Sequence, residues 1–290
     1  MNSKIIITLA AIALLSACSI KEDRIDCLAP VKVHLDGFSI SQEELPATKA
    51  TNPATYSAVN AITLAFYDAE GTEVYKSTQS KSDGSTYTTF GDFDLSLRMD
   101  SYTMVAIAYT TKDGSPFELT SPTSAAFTGA HVYETFAYTQ AVDIEDTDPV
   151  ELSATLDRIV SMLSVISSDT KPSNASSVRM ILSAGGKSFN PTTGLATVNT
   201  GFANTVTIST AVGVSSTSST CVFLASDEQT MDVTIEVLDE HENVLFSKLV
   251  EDVPFKRNRK TKLMGNIYSA SSSSSFLLDT SWLDEETLSF

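Results

Sequence analysis

The sequence predicts an all-β protein built from two β-sandwich domains in tandem. Short stretches alternate apolar and polar residues, turn residues recur between them, and no long stretch has the period of an amphipathic helix. Short strands joined by regularly spaced turns are typical of β-sandwiches. The chain of 290 residues is 42% apolar, so it can bury substantial cores. We predict the two domains over 31–148 and 149–290.

The amino terminus has the organisation of a bacterial lipoprotein signal peptide. One charge, Lys4, precedes an apolar run over 5–15 that is too short to span a bilayer as a mature helix. The run ends in LSAC (15–18), which resembles a lipobox, the motif in which the cysteine is diacylated and the peptide is cut before it. We predict a signal peptide over 1–17 and lipidation of Cys18. An ordinary signal peptide with an incidental cysteine is the alternative.

Charged residues follow this cysteine in the predicted tether, 18–30. Lys21, Glu22 and Asp23 resemble the signal that sends lipoproteins of Bacteroides-type bacteria to the outer face of the outer membrane. A merely hydrated tether is the simpler alternative. Two or more acyl chains anchor a protein stably. The predicted location is therefore the cell outer membrane, lipid-anchored and surface-exposed.

The net charge argues against two classes of partner. At −17, the chain repels nucleic acid and anionic lipid headgroups. We therefore expect no nucleic-acid partner, and we expect the acyl chains to supply the affinity for the membrane.

Two cysteines remain, Cys27 and Cys221. They could pair in an oxidising compartment, but their separation in sequence says nothing about their separation in space. Cys221 lies in TCVFLA (220–225), which is typical of a buried strand. A free thiol in the core is therefore the favoured interpretation, and the disulfide stays open.

The predicted first domain is a succession of strands and turns. The residues Asp68–Gly71 form a turn signal between two strands and predict a hairpin. The segment 101–110 is apolar on both faces, which predicts a central strand covered on both sides. The expected strands are VKVHLDGFSI (31–40), AITLAFYD (61–68), TEVYKS (72–77), SYTMVAIAYT (101–110) and ETFAYTQAVDI (134–144).

Acidic residues and Pro149 interrupt the pattern at EDTDPVE (145–151), and we place the domain boundary there. A second series of strands follows, although a short helix over 153–163 would also fit. A hairpin is predicted around Asp239–Asn243. The expected strand segments are 154–167, 177–184, 196–199, 204–210, 220–226, 231–238 and 243–253.

The carboxyl terminus combines a hinge with a short apolar segment. SASSSSSF (269–276) is a low-complexity sequence whose composition predicts a flexible hinge. The segment after it can fold onto its own domain or add to the sheet edge of another molecule. We select it as the candidate subunit-joining strand, with Phe276, Leu277, Leu278 and Trp282 as its apolar residues.

No catalytic constellation is evident. The histidines His34, His131 and His241 are far apart, and the motifs of metalloproteases, serine hydrolases and nucleotide-binding enzymes do not occur. We therefore predict no enzymatic activity, no cofactor and no metal. A local acidic cluster would fit calcium, but a solvated linker is the favoured interpretation. Its members are Asp143, Glu145, Asp146 and Asp148.

KRNRKTK (256–262) places five cations in seven residues. A polyanion site would explain them. An edge strand protected by charge is the favoured interpretation, because lysines on an edge discourage unwanted pairing.

Several stretches, in their order along the chain, resemble the fimbrillin-type lipoproteins of Bacteroidales type V fimbriae, and among these the FimB-type anchor subunits. They are IKEDRIDC (20–27), VNAITLAFYDAEGTEVY (59–75) and VPFKRNRKTKLMGNIY (253–268). The resemblance implies transthyretin-like β-sandwich domains and subunits that join by strand exchange. It also implies that anchor subunits keep their lipidated amino terminus, whereas a protease cuts stalk subunits after a basic residue and frees a groove.

One feature departs from the family pattern and another fits a stalk subunit. Leu28 stands where the pattern has proline after Cys27, with Pro30 two residues later. Lys49, in LPATKATNPAT (45–55), offers the basic residue that a stalk-processing protease needs. Anchor, stalk and tip roles therefore stay open, as does processing near Lys49.

The predicted function is that of an outer-membrane surface lipoprotein acting as a fimbrial subunit, either the membrane anchor or an accessory subunit. Its expected partners are other fimbrial subunits, the outer membrane through the lipid anchor, and a host or glycan ligand. The alternative is a glycan-binding surface lipoprotein of a nutrient-uptake system. Glycan-binding sites on β domains usually expose aromatic side chains, and the chain has only one tryptophan, although it also has nine tyrosines.

Overall fold

The computed structural model describes residues 28–40, 49–51, 56–81, 89–112, 116–269 and 277–279. All twenty elements in these ranges are β-strands, which confirms the all-β prediction. The strands are β1 (Leu28–Ile40), β2 (Lys49–Thr51), β3 (Ala61–Tyr67), β4 (Glu73–Ser80), β5 (Asp92–Arg98), β6 (Ser101–Tyr109), β7 (Phe117–Ser121), β8 (Ser124–Phe127), β9 (Thr135–Asp143), β10 (Val150–Arg158), β11 (Ser161–Ser167), β12 (Ser177–Leu182), β13 (Ser188–Asn190), β14 (Leu195–Ala196), β15 (Phe202–Thr207), β16 (Thr217–Val222), β17 (Glu228–Leu238), β18 (Val244–Lys256), β19 (Lys260–Gly265) and β20 (Leu277–Asp279).

The first sheet contains eight strands in the order β2-β1-β10-β9-β6-β3-β4, with β5 also paired to β1. β6 lies between β3 and β9, and most of its residues are buried, as its apolar sequence predicted. The turn predicted at Asp68–Gly71 joins β3 to β4. The carboxylate of Asp68 accepts hydrogen bonds from the backbone N–H groups of Glu70 and Thr72, and Gly71 adopts a φ of 79°.

The strand β1 is held by neighbours on both of its sides. It pairs in parallel with β10, from Val31↔Val150 to Ser39↔Asp157, and antiparallel with β5, from Leu28↔Arg98 to His34↔Asp92. Beyond the irregularity at Gly37, the short strand β2 continues the second side. The start of the described chain is therefore an internal strand of the sheet.

The alternating pattern of β1 places every second side chain in the first core. Val31, Val33 and Leu35 are each 1% exposed, and Phe38 is fully buried. They pack in one cluster with apolar side chains of β3, β5, β6, β9 and β10. Burial of each such side chain is worth roughly 1.5–3 kcal/mol relative to leaving it in water, so β1 contributes directly to the stability of this core.

The strand after Pro149 belongs to the first sheet. β10 pairs with β1 and, at Arg158↔Phe136, with β9. After β10 the chain passes through Ile159 and Val160 to β11, which belongs to another sheet, so the predicted boundary at 149 precedes the last strand of the first sheet. The acidic turn ends a strand, but its local composition carries no information about which sheet the next strand will join. The segment 153–163 forms strands.

The chain is divided here into a first half, up to Arg158 at the end of β10, and a second half, from Ile159 onward. The second half contributes two four-stranded sheets, β16-β11-β19-β20 and β15-β12-β17-β18, which enclose a core of their own. The predicted hairpin at Asp239–Asn243 joins β17 to β18. The carboxylate of Asp239 accepts hydrogen bonds from the backbone N–H groups of His241 and Asn243, each at 2.9 Å. The hydrogen bonds from Asn243 are the main reason that the pKa of Asp239 is lowered.

A fourth sheet joins the two halves. In the order β14-β13-β8-β7, it pairs Phe189 of β13 with Ala125 of β8. Aromatic rings fill the core beneath it: Phe189 and Phe223 stack with centroids 4.3 Å apart, and Phe117 lies 4.1 Å from Tyr109. Burial of large aromatic rings in a shared core stabilises the contact between the two halves.

Cys221 lies in this shared core. It is a free, buried cysteine at the end of β16, as the favoured interpretation expected. Burial raises the pKa of its thiol, so the group stays neutral and unreactive. Cys27 lies outside the described residues.

Candidate subunit-joining edge and the cavity between the halves

The structure describes only part of the predicted site. Cys18, Lys21, Glu22, Asp23, Phe276 and Trp282 lie outside the described residues. Leu277 and Leu278 lie in β20, the outermost strand of a four-stranded sheet. β20 pairs antiparallel with β19 of the same chain, with Leu278 opposite Leu263 and Leu277 opposite Met264.

β19, the strand to which β20 pairs, is hydrogen-bonded on its other side to β11. β19 runs parallel to β11 over six paired residues, from Met162↔Lys260 to Ser167↔Gly265. Thr261 and Leu263 of β19 are buried, whereas Met264 is 36% exposed. β20 covers only Lys262–Met264. β19 is therefore paired with β11 over all six of its residues on one side, and the short strand β20 occupies part of its other edge.

Lys49 is the first residue of β2. There it is paired with Ile40, the last residue of β1, and Thr51 is paired with Phe38. Any cut after Lys49 would leave β1 connected to the amino-terminal segment, while β1 itself stays hydrogen-bonded between β5 and β10.

The basic segment 256–262 forms the end of β18, a turn and the start of β19. β18 is the outer strand of its sheet, as the favoured interpretation expected, whereas β19 lies between β11 and β20. The first two cations of the segment have acidic partners. Lys256 Nζ lies 2.9 Å from Glu228 Oε1, and Arg257 Nη2 lies 2.8 Å from Asp227 Oδ1. These pairs reduce the positive charge that a polyanion would meet.

The histidines are not brought together. His34 of β1 bonds to Asp92 of β5, and this hydrogen bond is the main reason that its pKa is raised above 6.5. His131 lies near Tyr133, and His241 lies near Glu240. Within the described ranges, no group of three or more His, Cys, Asp or Glu residues is arranged to hold a metal ion.

A buried ion pair lies where the halves meet. The side chain of Arg158 is inaccessible to solvent, and its Nη2 lies 2.6 Å from Glu134 Oε1. The same Nη2 donates to Tyr56 Oη at 2.8 Å, and Nη1 donates to Asn258 Oδ1 at 3.2 Å. Because Asn258 belongs to the β18–β19 turn, the guanidinium joins the end of the first sheet to the second half.

Beside this ion pair lies a cavity of about 580 Å³ between the halves. Asn204 of β15 is 3% exposed, and its Nδ2 donates to Thr220 Oγ1 at 2.6 Å, whereas Oδ1 has no hydrogen-bond partner. The lining residues are Ser57, Ala58, Asn60, Thr110, Lys112, His131, Val132, Tyr133, Glu134, Met162, Asn204, Thr205, Val206, Thr207, Ser219, Thr220 and Cys221.

Sequence reasoning missed the ion pair and the cavity. The one available signal is Arg158, a charge inside the apolar run 154–167, which a buried strand tolerates only with a partner. Nothing in the sequence pairs it with Glu134, and Asn204 looks like any polar residue of an alternating strand.

These features define a class of protein: a chain of β-sheets in which two sandwiches share a core and a short strand occupies one sheet edge. More particularly, the chain belongs to a family of unknown function, DUF6562, whose model matches residues 31–289. No curated protein matches the chain. The described residues include no helix with the length and apolar character needed to cross a membrane.

Solved structures share the fold at low sequence identity. A "putative adhesin" from Bacteroides ovatus aligns with a TM-score of 0.53 and 11% identity over 89% of this chain and 96% of its own. A structure of "putative polysaccharide binding proteins (DUF1812)" from Bacteroides thetaiotaomicron gives 0.52 and 11% over 89% and 99%. The fimbrial anchor protein Mfa2 from Porphyromonas gingivalis gives 0.48 and 12% over 87% and 95%, too low a score to support an inference about the anchor role.

Proposed function

We propose that the protein is a surface lipoprotein of the outer membrane that acts as a fimbrial subunit, as the membrane anchor or an accessory subunit, and joins its neighbours by β-strand addition. The observation that carries the proposal is the position of β1. This strand begins shortly after Cys18 and is hydrogen-bonded on both sides, to β10 and to β5.

The physical reason is mechanical. Tension between a lipidated Cys18 and the body of the protein enters the fold through β1. This tension can release β1 only by breaking its hydrogen bonds to β10 and β5 and by exposing the buried side chains of Val31, Val33 and Leu35. An anchored subunit needs such a connection, because the fibre pulls on it.

The other end of the described chain supports subunit joining. β20 pairs with only three residues of β19. A longer strand from a neighbouring subunit would gain more main-chain hydrogen bonds along the same edge, which is the energetic basis of β-strand addition. The adhesin name of one similar fold and the family resemblance of the sequence agree with a structural role without catalysis.

The lipid anchor is tested by Cys18→Ala, with Cys27→Ala as the matched control in the same tether. We expect Cys18→Ala to abolish incorporation of labelled palmitate and to release fibres into the medium. Cys27→Ala should keep both the incorporation of palmitate and the attachment of fibres to cells. If fibres stay attached to cells that lack this protein altogether, the anchor role is wrong.

The export signal is tested separately by replacing Lys21, Glu22 and Asp23 together with alanine. The lipidated protein should stay in the outer-membrane fraction but lose its sensitivity to protease added to intact cells. Unchanged sensitivity would show that these charges serve only as a tether.

A second candidate function is glycan binding in a nutrient-uptake system. The cavity between the halves favours it, because hydroxyl-bearing residues are among those that line it, and one similar fold carries a polysaccharide-binding name. Retardation of the full-length protein in gels containing a polysaccharide, compared with gels without it, tests this candidate independently of fibre attachment.

A further inference from the structure

We propose that the cavity between the halves binds the end of a neutral saccharide, with Asn204 as its central hydrogen-bonding residue. The inference deepens the second candidate function by naming a site and a ligand class, and it does not depend on the fimbrial proposal.

The amide of Asn204 carries the argument. It is buried, yet only one end of it is bonded, by Nδ2 to Thr220 Oγ1 at 2.6 Å. Oδ1 has no partner in the protein. If the amide were turned over, the Thr220 hydroxyl could donate to the oxygen and the NH₂ group would be left instead. In either orientation one polar group of this buried amide has no partner in the protein, and a hydroxyl group of a ligand, or a water molecule, in the cavity can satisfy it.

The rest of the wall indicates a ligand rich in hydroxyl groups. Seven lining residues carry hydroxyl groups and lie on both halves of the protein: Ser57, Thr110, Tyr133, Thr205, Thr207, Ser219 and Thr220. Hydroxyl groups both donate and accept, so they match the mixed donors and acceptors of a sugar. The rings of His131 and Tyr133, with centroids 5.9 Å apart, add an aromatic part to the wall.

The charges at the cavity do not favour a cation. Glu134 is the carboxylate among the lining residues, and it is already engaged by Arg158 at 2.6 Å and by the hydroxyl of Tyr56 at 2.8 Å. A carboxylate neutralised by a buried guanidinium attracts a further cation only weakly. Lys112 also lines the cavity, but it is exposed, so solvent screens its charge. The hydroxyl and amide groups of the lining then favour hydrogen bonding to a neutral ligand.

The size and the construction of the cavity suit such a ligand. A volume of about 580 Å³ lies within the usual range of roughly 300–1,000 Å³ for small-ligand pockets. β15 and β16 are the outer strands of their sheets and supply Asn204 and Thr220 to the wall. Side chains on strands are held in place more closely than side chains on loops.

The test uses the full-length protein and saturation-transfer NMR with glucose, galactose, mannose, N-acetylglucosamine, lactose and cellobiose. Thr207→Tyr puts a bulky ring at an exposed position of the cavity wall, and Thr217→Tyr makes the same change at an exposed position that does not line it. We expect at least one sugar to bind, Thr207→Tyr to weaken it about tenfold or more, and Thr217→Tyr to bind like the wild type. Asn204→Ala should also weaken binding, and Thr207→Tyr keeps the test valid if that variant does not fold.

The outcomes separate this site from the function that it deepens. If the wild type binds none of the sugars, or if Thr207→Tyr binds them as the wild type does, the site is wrong. Polysaccharide retardation that persists in Thr207→Tyr would leave the glycan-binding function standing and place it elsewhere. Without sugar binding and without retardation of the wild type, both fail, whereas fibre attachment remains a separate measurement.

Discussion

The first and last strands of the described chain are held in contrasting ways. β1 spans thirteen residues, has partners on both sides and supplies buried side chains to the first core. β20 spans three residues and pairs only with β19. A strand that is part of a core resists removal, whereas a short strand at an edge can be exchanged at small cost. In one chain, therefore, β1 is a firm attachment to the fold, and β20 is a strand that a neighbouring molecule can replace.

The largest effect should follow from weakening β1. Phe38 is fully buried, and its ring centroid lies 4.5 Å from that of Phe136. Phe38→Ala should lower the free energy of unfolding by about 3–5 kcal/mol, because it removes buried surface and leaves a cavity. Urea denaturation measures the loss, and Lys32→Ala, at an exposed position of the same strand, should change stability by less than about 0.5 kcal/mol. Equal losses in both variants would contradict the view of β1 as a core strand.

The next effect concerns the joint between the halves. Arg158→Met should cost roughly 3 kcal/mol, because it leaves the carboxylate of Glu134 without its buried cation. Glu134→Gln in the same chain should restore part of the loss, because the uncompensated charge is then absent. A double-mutant cycle by thermal or urea unfolding checks this. Additive losses would show that the pair is not coupled.

A much smaller effect is expected at the other end. Truncation after residue 276 removes β20 and the residues beyond it. The few main-chain hydrogen bonds to β19 contribute about 1 kcal/mol each, and the entropy gained by freeing the segment offsets most of that. We expect a net loss of less than about 2 kcal/mol by urea denaturation, with faster amide exchange confined to β19. A loss as large as that of Phe38→Ala would remove the contrast between the two strands.

The smallest effect is a pH dependence of the β1–β5 pairing. The hydrogen bond to Asp92 raises the pKa of His34 in the folded protein above its ordinary 6.5. The stabilisation is therefore fully present below pH 6.5 and is lost as the pH rises through the higher folded-state pKa. The side chain is 60% exposed, so solvent screens the pair and the effect is small. Unfolding of the wild type and of His34→Gln, compared on both sides of this window, should show the difference shrinking as the pH rises.

Local features of this protein followed from the sequence alone. Alternation in 31–40 predicted the buried and exposed faces of β1, and the apolar run 101–110 predicted the central position of β6. The residues Asp68–Gly71 and Asp239–Asn243 predicted their hairpins, because each turn is stabilised by bonds between residues close in sequence. The lipobox at Cys18 is likewise a local signal, and its lipidation stays a prediction.

Only the tertiary structure decided how these elements meet. β1 pairs in parallel with β10, more than a hundred residues later, and β8 pairs with β13 across the two halves. The ion pair of Arg158 with Glu134, and the cavity beside Asn204, exist only because those pairings bring separate strands together. Periodicity records which side of a strand faces a core. It carries no information about which distant strand lies on the other side, because that choice depends on the packing of the whole chain.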